Sequence, residues 1–272
     1  MSVLGFSHIV TEVKDISHAV SCYRKLGYEL EYTMEQIVPP EKMSVLDDQP
    51  SQVKLLYLRH TKQPCLGVEL IQHDKHGPRQ KTKTICYGYT QQESERRTVI
   101  DPEGNKIVLF EENLSECHQH IFIPTEKLDD TQRFYQEIFH LVQKPDENKF
   151  CSTYADLYGE VRRSTILALS QCLSPNWNVL LHLVETTDVG LIRHLNHYGF
   201  SCFCFLIDRE EYSLYQKKKM KIAGPIEDQK DVDGKTSHFQ IGFLKDPNGF
   251  LIEFYLSRSV TDSKEEKVSR HV

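Results

Sequence analysis

The chain has 272 residues, 39% of them hydrophobic, and 33 Lys and Arg against 39 Asp and Glu give a formal charge of -6. That length can bury one large core or two ordinary ones, and the mixed charges leave no basic face for a phosphate backbone, which argues against a nucleic-acid partner. Apolar runs fall short of the ~20 residues of a membrane span and the opening MSVLGFSHIVTEVKD lacks a signal core, so a cytoplasmic protein with no membrane partner and reduced cysteines is expected.

In SHIVTEVKDISHAVSCYRKLGY (7–28) the alternation of Ile9, Thr11 and Val13 predicts a strand, and the spacing of Ile16, Ala19, Val20, Tyr23 and Leu26 predicts a helix. Apolar strands follow at LGVELIQ, which carries Glu69, and at TICYGYT (84–90). In IDPEGNKIVLFEE (100–112) Asp-Pro-x-Gly suits a type I turn leading into another strand. The segment QHIFIPTEKLDDTQRFYQEIFH (119–140) then repeats the first, with His120 on His8 and Tyr135 on Tyr23, 112 residues apart. Strands at NVLLHLVE (178–185) and CFCFLID (202–208), a helix and strand after REEYSLYQ, and a second turn in KDPNGFLIEFYLS (245–257) complete the repeat. The two turns are 145 residues apart, so the second half carries 33 further residues, and the first half is expected to lack a helix and a strand between Tyr89 and Asp101. QKKKMK (216–221) reads as the solvated end of a helix.

A strand opening on His, a helix with CYRKLGY or RFYQEIF, an apolar strand after Gly, and a DPxG turn into a strand ending in Glu resemble, as a set over residues 4–257, the vicinal oxygen chelate superfamily. That group includes glyoxalase I, type I extradiol dioxygenases, fosfomycin-resistance proteins and bleomycin-binding proteins. The resemblance implies an α+β fold of two tandem domains, each a cupped mixed sheet of paired βαβββ modules. The expected boundaries are 1–114, degenerate and structural or a lid, 115–260, with the active cup, and a flexible tail at 261–272. It also implies inward positions on the first, fourth, fifth and eighth strands that hold a divalent metal (Zn, Fe, Mn or Ni). In the second half these fall on His120, His182, Cys202 and Glu253, and in the first on His8, Glu69, Thr84 and Val108; His118 shares the face of His120.

An inward carboxylate is costly unless a cation or donors satisfy it. Glu253 therefore needs a partner, metal or a structural Arg or Lys, while Val108 marks a cup that needs none. His120 and His182 read either as ligands or as buried imidazoles, and Cys202 as a ligand or a small core residue. His120, His182 and Glu253 would make a 2-His-1-carboxylate set suited to iron(II), whereas Cys202 would favour zinc.

The segment SHFQIGFLKDPNGFLIEF resembles the closing segment of extradiol dioxygenases, yet their second ligand His falls on Cys202, their acid-base His near Gly234 and their Tyr on Phe243. His238 reads either as the substitute proton donor or as an exposed residue at the start of a strand. The expected function is a metal-dependent isomerase or lyase acting on a small oxygen-rich molecule, with Glu253 as ligand and base. The alternatives are an extradiol ring-cleavage dioxygenase and a non-catalytic protein that sequesters a small molecule against aromatic residues of CFCFLI, Tyr255 and Trp177.

Overall fold

The structure is a computed structural model that describes residues 3–61, 66–77, 85–91, 96–111, 119–145, 149–172, 179–187, 189, 194–217, 223–230 and 236–257. A first module holds β1 (Val3–Glu12), α1 (Ile16–Lys25), β2 (Tyr28–Ile37), a 3-10 turn η1 (Pro40–Val45), β3 (Gln52–His60) and β4 (Gly67–His73). A short second module has β5 (Cys86–Gln91), β6 (Arg97–Ile100) and β7 (Lys106–Glu111). The third has β8 (Gln119–Thr125), α2 (Leu128–Phe139), β9 (Leu141–Lys144), α3 (Cys151–Tyr158), β10 (Arg163–Leu169) and β11 (Leu180–Glu185). The fourth has β12 (Gly199–Ile207), α4 (Arg209–Lys217), β13 (Ala223–Lys230), β14 (Thr236–Lys245) and β15 (Leu251–Ser257). Among the described residues the second module is thus one helix and one strand shorter than the fourth, as the spacing of the turns implied.

The repeated helices form where the 3.6-residue pattern placed them. Asp15 caps α1, its carboxylate accepting from the Ser17 and His18 amides, and Ile16, Ala19, Val20 and Tyr23 are its buried face. Gly27 turns the chain out of α1 at φ 89°, and after α2 the left-handed position is taken by His140 at φ 56°. No helix among the described residues is long and apolar enough to cross a membrane.

Two mixed sheets result, ordered β13-β14-β15-β12-β1-β4-β3-β2 and β6-β7-β5-β8-β11-β10-β9. In every module the first strand pairs in parallel with the last. Modules then join through antiparallel first strands, β1 with β12 and β5 with β8. The sheets are therefore nested: modules two and three make the inner one, modules one and four the outer one. This corrects the expected division near residue 114, which falls inside the seven-stranded sheet. Because all four modules open on the same kind of strand, alternation alone fits either pairing.

The outer faces of both sheets and the helices α1, α2 and α4 share one core that includes Phe6, Tyr23, Tyr87, Tyr135 and Phe205. The repeated tyrosines lock this core. Asp101 accepts from the Glu103 and Asn105 amides and, on its other oxygen, from the Tyr23 hydroxyl at 3.2 Å. Asp246 accepts from the Asn248 and Phe250 amides and from the Tyr135 hydroxyl at 3.4 Å. The first helix of each sheet, α1 or α2, is thus bonded to the DPxG turn of the other. Burial raises both carboxyls, Asp246 to about 6, against the pull of their donors.

Candidate functional site

The register of the eight-stranded sheet assembles a site from four adjacent strands, β4, β1, β12 and β15. His8 lies opposite Gly67, so Glu69, two residues on, shares its face. His8 also faces Cys204, and Cys204 faces Glu253. His8 Nε2 is 3.5 Å from Glu69 Oε2 and 3.9 Å from Glu253 Oε2. Cys202 Sγ is 3.7 Å from Glu253 Oε2, and donor atoms of His8, Cys204 and Glu253 lie within 4.8 Å of one another.

This overturns the expectation that His8 and Glu69 stand in a cup too poor in donors. They complete the set with Glu253, because modules one and four share a sheet.

Both carboxyls and the imidazole are buried. Burial holds His8 down to about 3, with help from the charge of Lys42, so its ring is neutral and its lone pair free. Burial and the neighbouring Glu253 push Glu69 up to about 8; burial pushes Glu253 up as well. The Lys42 ammonium, delivered by η1, draws both carboxyls the other way without offsetting burial. The group is short of positive charge. His8 Nε2 has no hydrogen-bond partner, while its Nδ1 meets Ser7 Oγ at 2.9 Å and Ser7 in turn donates to the Tyr255 hydroxyl at 3.3 Å. A neutral imidazole and two carboxyls with thiols beside them are a donor set that fits a divalent cation.

A cavity of about 170 Å³ opens onto these groups between Tyr32, Tyr57, Tyr255 and Lys42. The Tyr32 and Tyr57 rings stack at 5.2 Å with an interplanar angle of 3°. Gly67 seats that wall, since a Cβ there would stand 2.1 Å from the Tyr57 hydroxyl.

The seven-stranded sheet repeats the register with different contents. His120 lies opposite Leu180, so His182 occupies the slot of Glu69, and Cys86 lies opposite Phe122 as Cys202 does opposite Val10. The fifth-strand slot is therefore Cys86; Thr84, two residues earlier, is outside the described residues. Val108 takes the place of Glu253. His120 Nδ1 and His182 Nε2 are 3.0 Å apart, and the Tyr154 hydroxyl is 2.9 Å from His182 Nδ1. Phe122 stacks on His182 at 4.5 Å, and Phe150 meets it edge-on at 4.6 Å. The stretch Phe150–Tyr158, which contains α3, joins Val108, Phe110 and Phe122 in one apolar cluster. This cup is filled by side chains.

His120 and His182 are accordingly corrected: they pair with each other and do not meet Cys202 or Glu253. His238 lies in β14, but its side chain is outside what the structure describes, as are His118, Trp177 and Gly234. Phe203 and Phe205 of CFCFLI belong to the shared core instead of the cup, so its aromatic lining comes from Tyr32, Tyr57 and Tyr255. Lys42, Tyr32 and Tyr57 carried no sequence signal, since only the fold brings β2, η1 and β3 over β15.

Replacing His182 with Ala is expected to cost about 3 kcal/mol of stability, because a filled cup gains a cavity and the hydrogen bond between His182 and the Tyr154 hydroxyl is lost. Metal uptake should not change. Denaturant midpoint and metal content check this, and a stable variant that has lost metal would return the site to this cup.

No family model matches the chain, and no curated protein does. Among solved structures it is similar to glyoxalase I from Zea mays, with a TM-score of 0.57 at 15% identity over 98% of this chain and 97% of that one. It is also similar to a putative dioxygenase from Bacillus subtilis, with a TM-score of 0.58 at 13% identity over 94% and 86%.

Proposed function

We propose that this chain, which has the vicinal oxygen chelate fold, binds one divalent metal ion through His8, Glu69 and Glu253 and acts as an isomerase or lyase on a small oxygen-rich molecule. One observation carries the reading: the free Nε2 of a neutral, buried His8 faces two buried carboxyls at the floor of a cavity. Cys202 or Cys204 supplies a fourth donor, favouring zinc over iron. When bound, the ion would supply Lewis-acid polarisation of substrate oxygens.

The chain's own groups supply the rest. A buried carboxyl at the cavity floor, Glu69 or Glu253, is placed to take and return a substrate proton. The Lys42 ammonium faces negative charge that develops in the cavity. The stacked Tyr32 and Tyr57 wall keeps bulk water from the floor. Ring cleavage is less well supported, since Phe243, in the position of the dioxygenase Tyr, is fully buried and has no hydroxyl. The three-tyrosine wall favours, as a second reading, a protein that binds an aromatic or planar ligand without turnover.

The test is zinc or nickel titration of the chelator-stripped chain beside His8→Ala and Glu253→Gln. Each substitution is expected to abolish one equivalent of uptake and any metal-dependent turnover. Uptake indifferent to both substitutions would refute the site, and a parent chain that takes up no metal here yet binds planar ligands would favour sequestration.

A further inference from the structure

A second cluster lies where the connection after η1 meets the segment leading into β12. Asn196 holds the two together: its Oδ1 accepts from the Asp47 amide at 2.8 Å, and its Nδ2 donates to the carbonyls of Asp47 at 2.8 Å and Lys75 at 3.1 Å. The Leu195 amide donates to the Val45 carbonyl at 2.7 Å. This frame brings one carboxylate oxygen of Asp47 and one ring nitrogen each of His194 and His197 within 4.8 Å of one another.

His197 Nε2 is 3.3 Å from Asp47 Oδ2, and the two imidazole centroids are 5.1 Å apart. A Cβ on Gly77 would stand 2.4 Å from that Nε2, so the ring sits against bare backbone. A simple His197–Asp47 ion pair would account for one ring nitrogen. It leaves Nδ1 of His194 and Nδ1 of His197 buried without a hydrogen-bond partner, and His197 is only 6% exposed. Buried polar atoms of native proteins are normally satisfied, and imidazole nitrogens beside a carboxylate are what a borderline-soft cation satisfies.

We propose that Asp47, His194 and His197 bind a second divalent transition-metal ion of the zinc class, independent of the cup. Two imidazoles and one carboxylate give three ligands of a tetrahedral site, with water in the fourth position. The ion would tie the segment that follows η1, which carries Lys42, to the segment that leads into β12, which carries Cys202 and Cys204.

The experiment starts from the full chain carrying Glu69→Gln and Glu253→Gln, which removes the cup's two carboxylate ligands while keeping neutral, near-isosteric side chains. After chelator treatment it is titrated with zinc. One ion per chain is expected, with a rise in melting temperature. Adding His194→Gln or Asp47→Asn should weaken uptake by more than about 100-fold, beyond what loss of an outer partner costs, and abolish the rise. Both residues are partly exposed, so the fold tolerates these changes, and circular dichroism verifies it. Absence of zinc uptake in the doubly substituted chain, or uptake indifferent to His194→Gln and Asp47→Asn, overturns the proposal. The cup's own assignment is tested separately by His8→Ala, so the two can fail independently.

Discussion

Residues 1–114, expressed alone, are expected not to fold, and to regain structure only when mixed with the remainder of the chain. The nesting of the sheets is the reason. That piece contains β1 without its antiparallel partner β12 and β5 without β8. Two open edges would present unpaired backbone groups, and Phe6 would lose its contacts with Phe203 and Phe205, whose rings lie 6.0 and 4.4 Å away. The shared core would lose its other half as well. Far-ultraviolet circular dichroism and a cooperative denaturant transition measure the outcome; a cooperatively folding 1–114 would show that the module pairing is consecutive after all.

Stripped of metal, the chain is expected to lose stability as pH rises from about 6.5 to 8. Glu69 carries the sign. Its folded pKa, about 8, lies above the ordinary value of 4.5, so between those values the folded state holds a proton that the unfolded chain has released, and stability falls with pH. His8 works oppositely, since a folded value of about 3 against 6.5 makes stability rise with pH, but only below 6.5. Asp246, at about 6, also acts mainly below that point. The window from 6.5 to 8 therefore isolates the carboxyls, at roughly 2 kcal/mol for one group over the interval. Glu69→Gln should flatten most of the decline, and added metal should reverse it by holding the carboxylates ionised. The decisive measurement is the denaturant midpoint with chelator at the two pH values; a parent chain equally stable at both would contradict the assigned environment of Glu69.

Much of this was legible in the sequence, and the misses have physical causes. The pairs His8/His120, Tyr23/Tyr135 and Asp101/Asp246 were visible because each is fixed by local chemistry: a strand start, a helix face, a turn. The exchange of Glu253 for Val108 was legible as a difference between two cups, and the structure places Val108 in the filled one. What failed was the choice of partners. Strand pairing is long-range, and nothing near His8 says that Glu253, rather than Val108, will stand beside it. Glu253 was thus placed with His120 and His182, two residues of the right chemistry in the wrong sheet. The slip from Cys86 to Thr84 is of the same kind, because a two-residue shift preserves the alternation of faces and leaves no trace in a pattern of period two.

The nesting also orders events in time. On a ribosome the seven-stranded sheet, drawn from residues 86–185, can close as soon as its own contiguous stretch has emerged, whereas β1, although made first, has no partner in β12 until residues 199–207 are out. Non-local pairings of this kind make for slow folding, and a nascent edge left open invites wrong association. The filled sheet can therefore serve as an early scaffold, whereas the strands that carry His8, Glu69 and Glu253 can meet only after β15, the last of them in chain order, has been made.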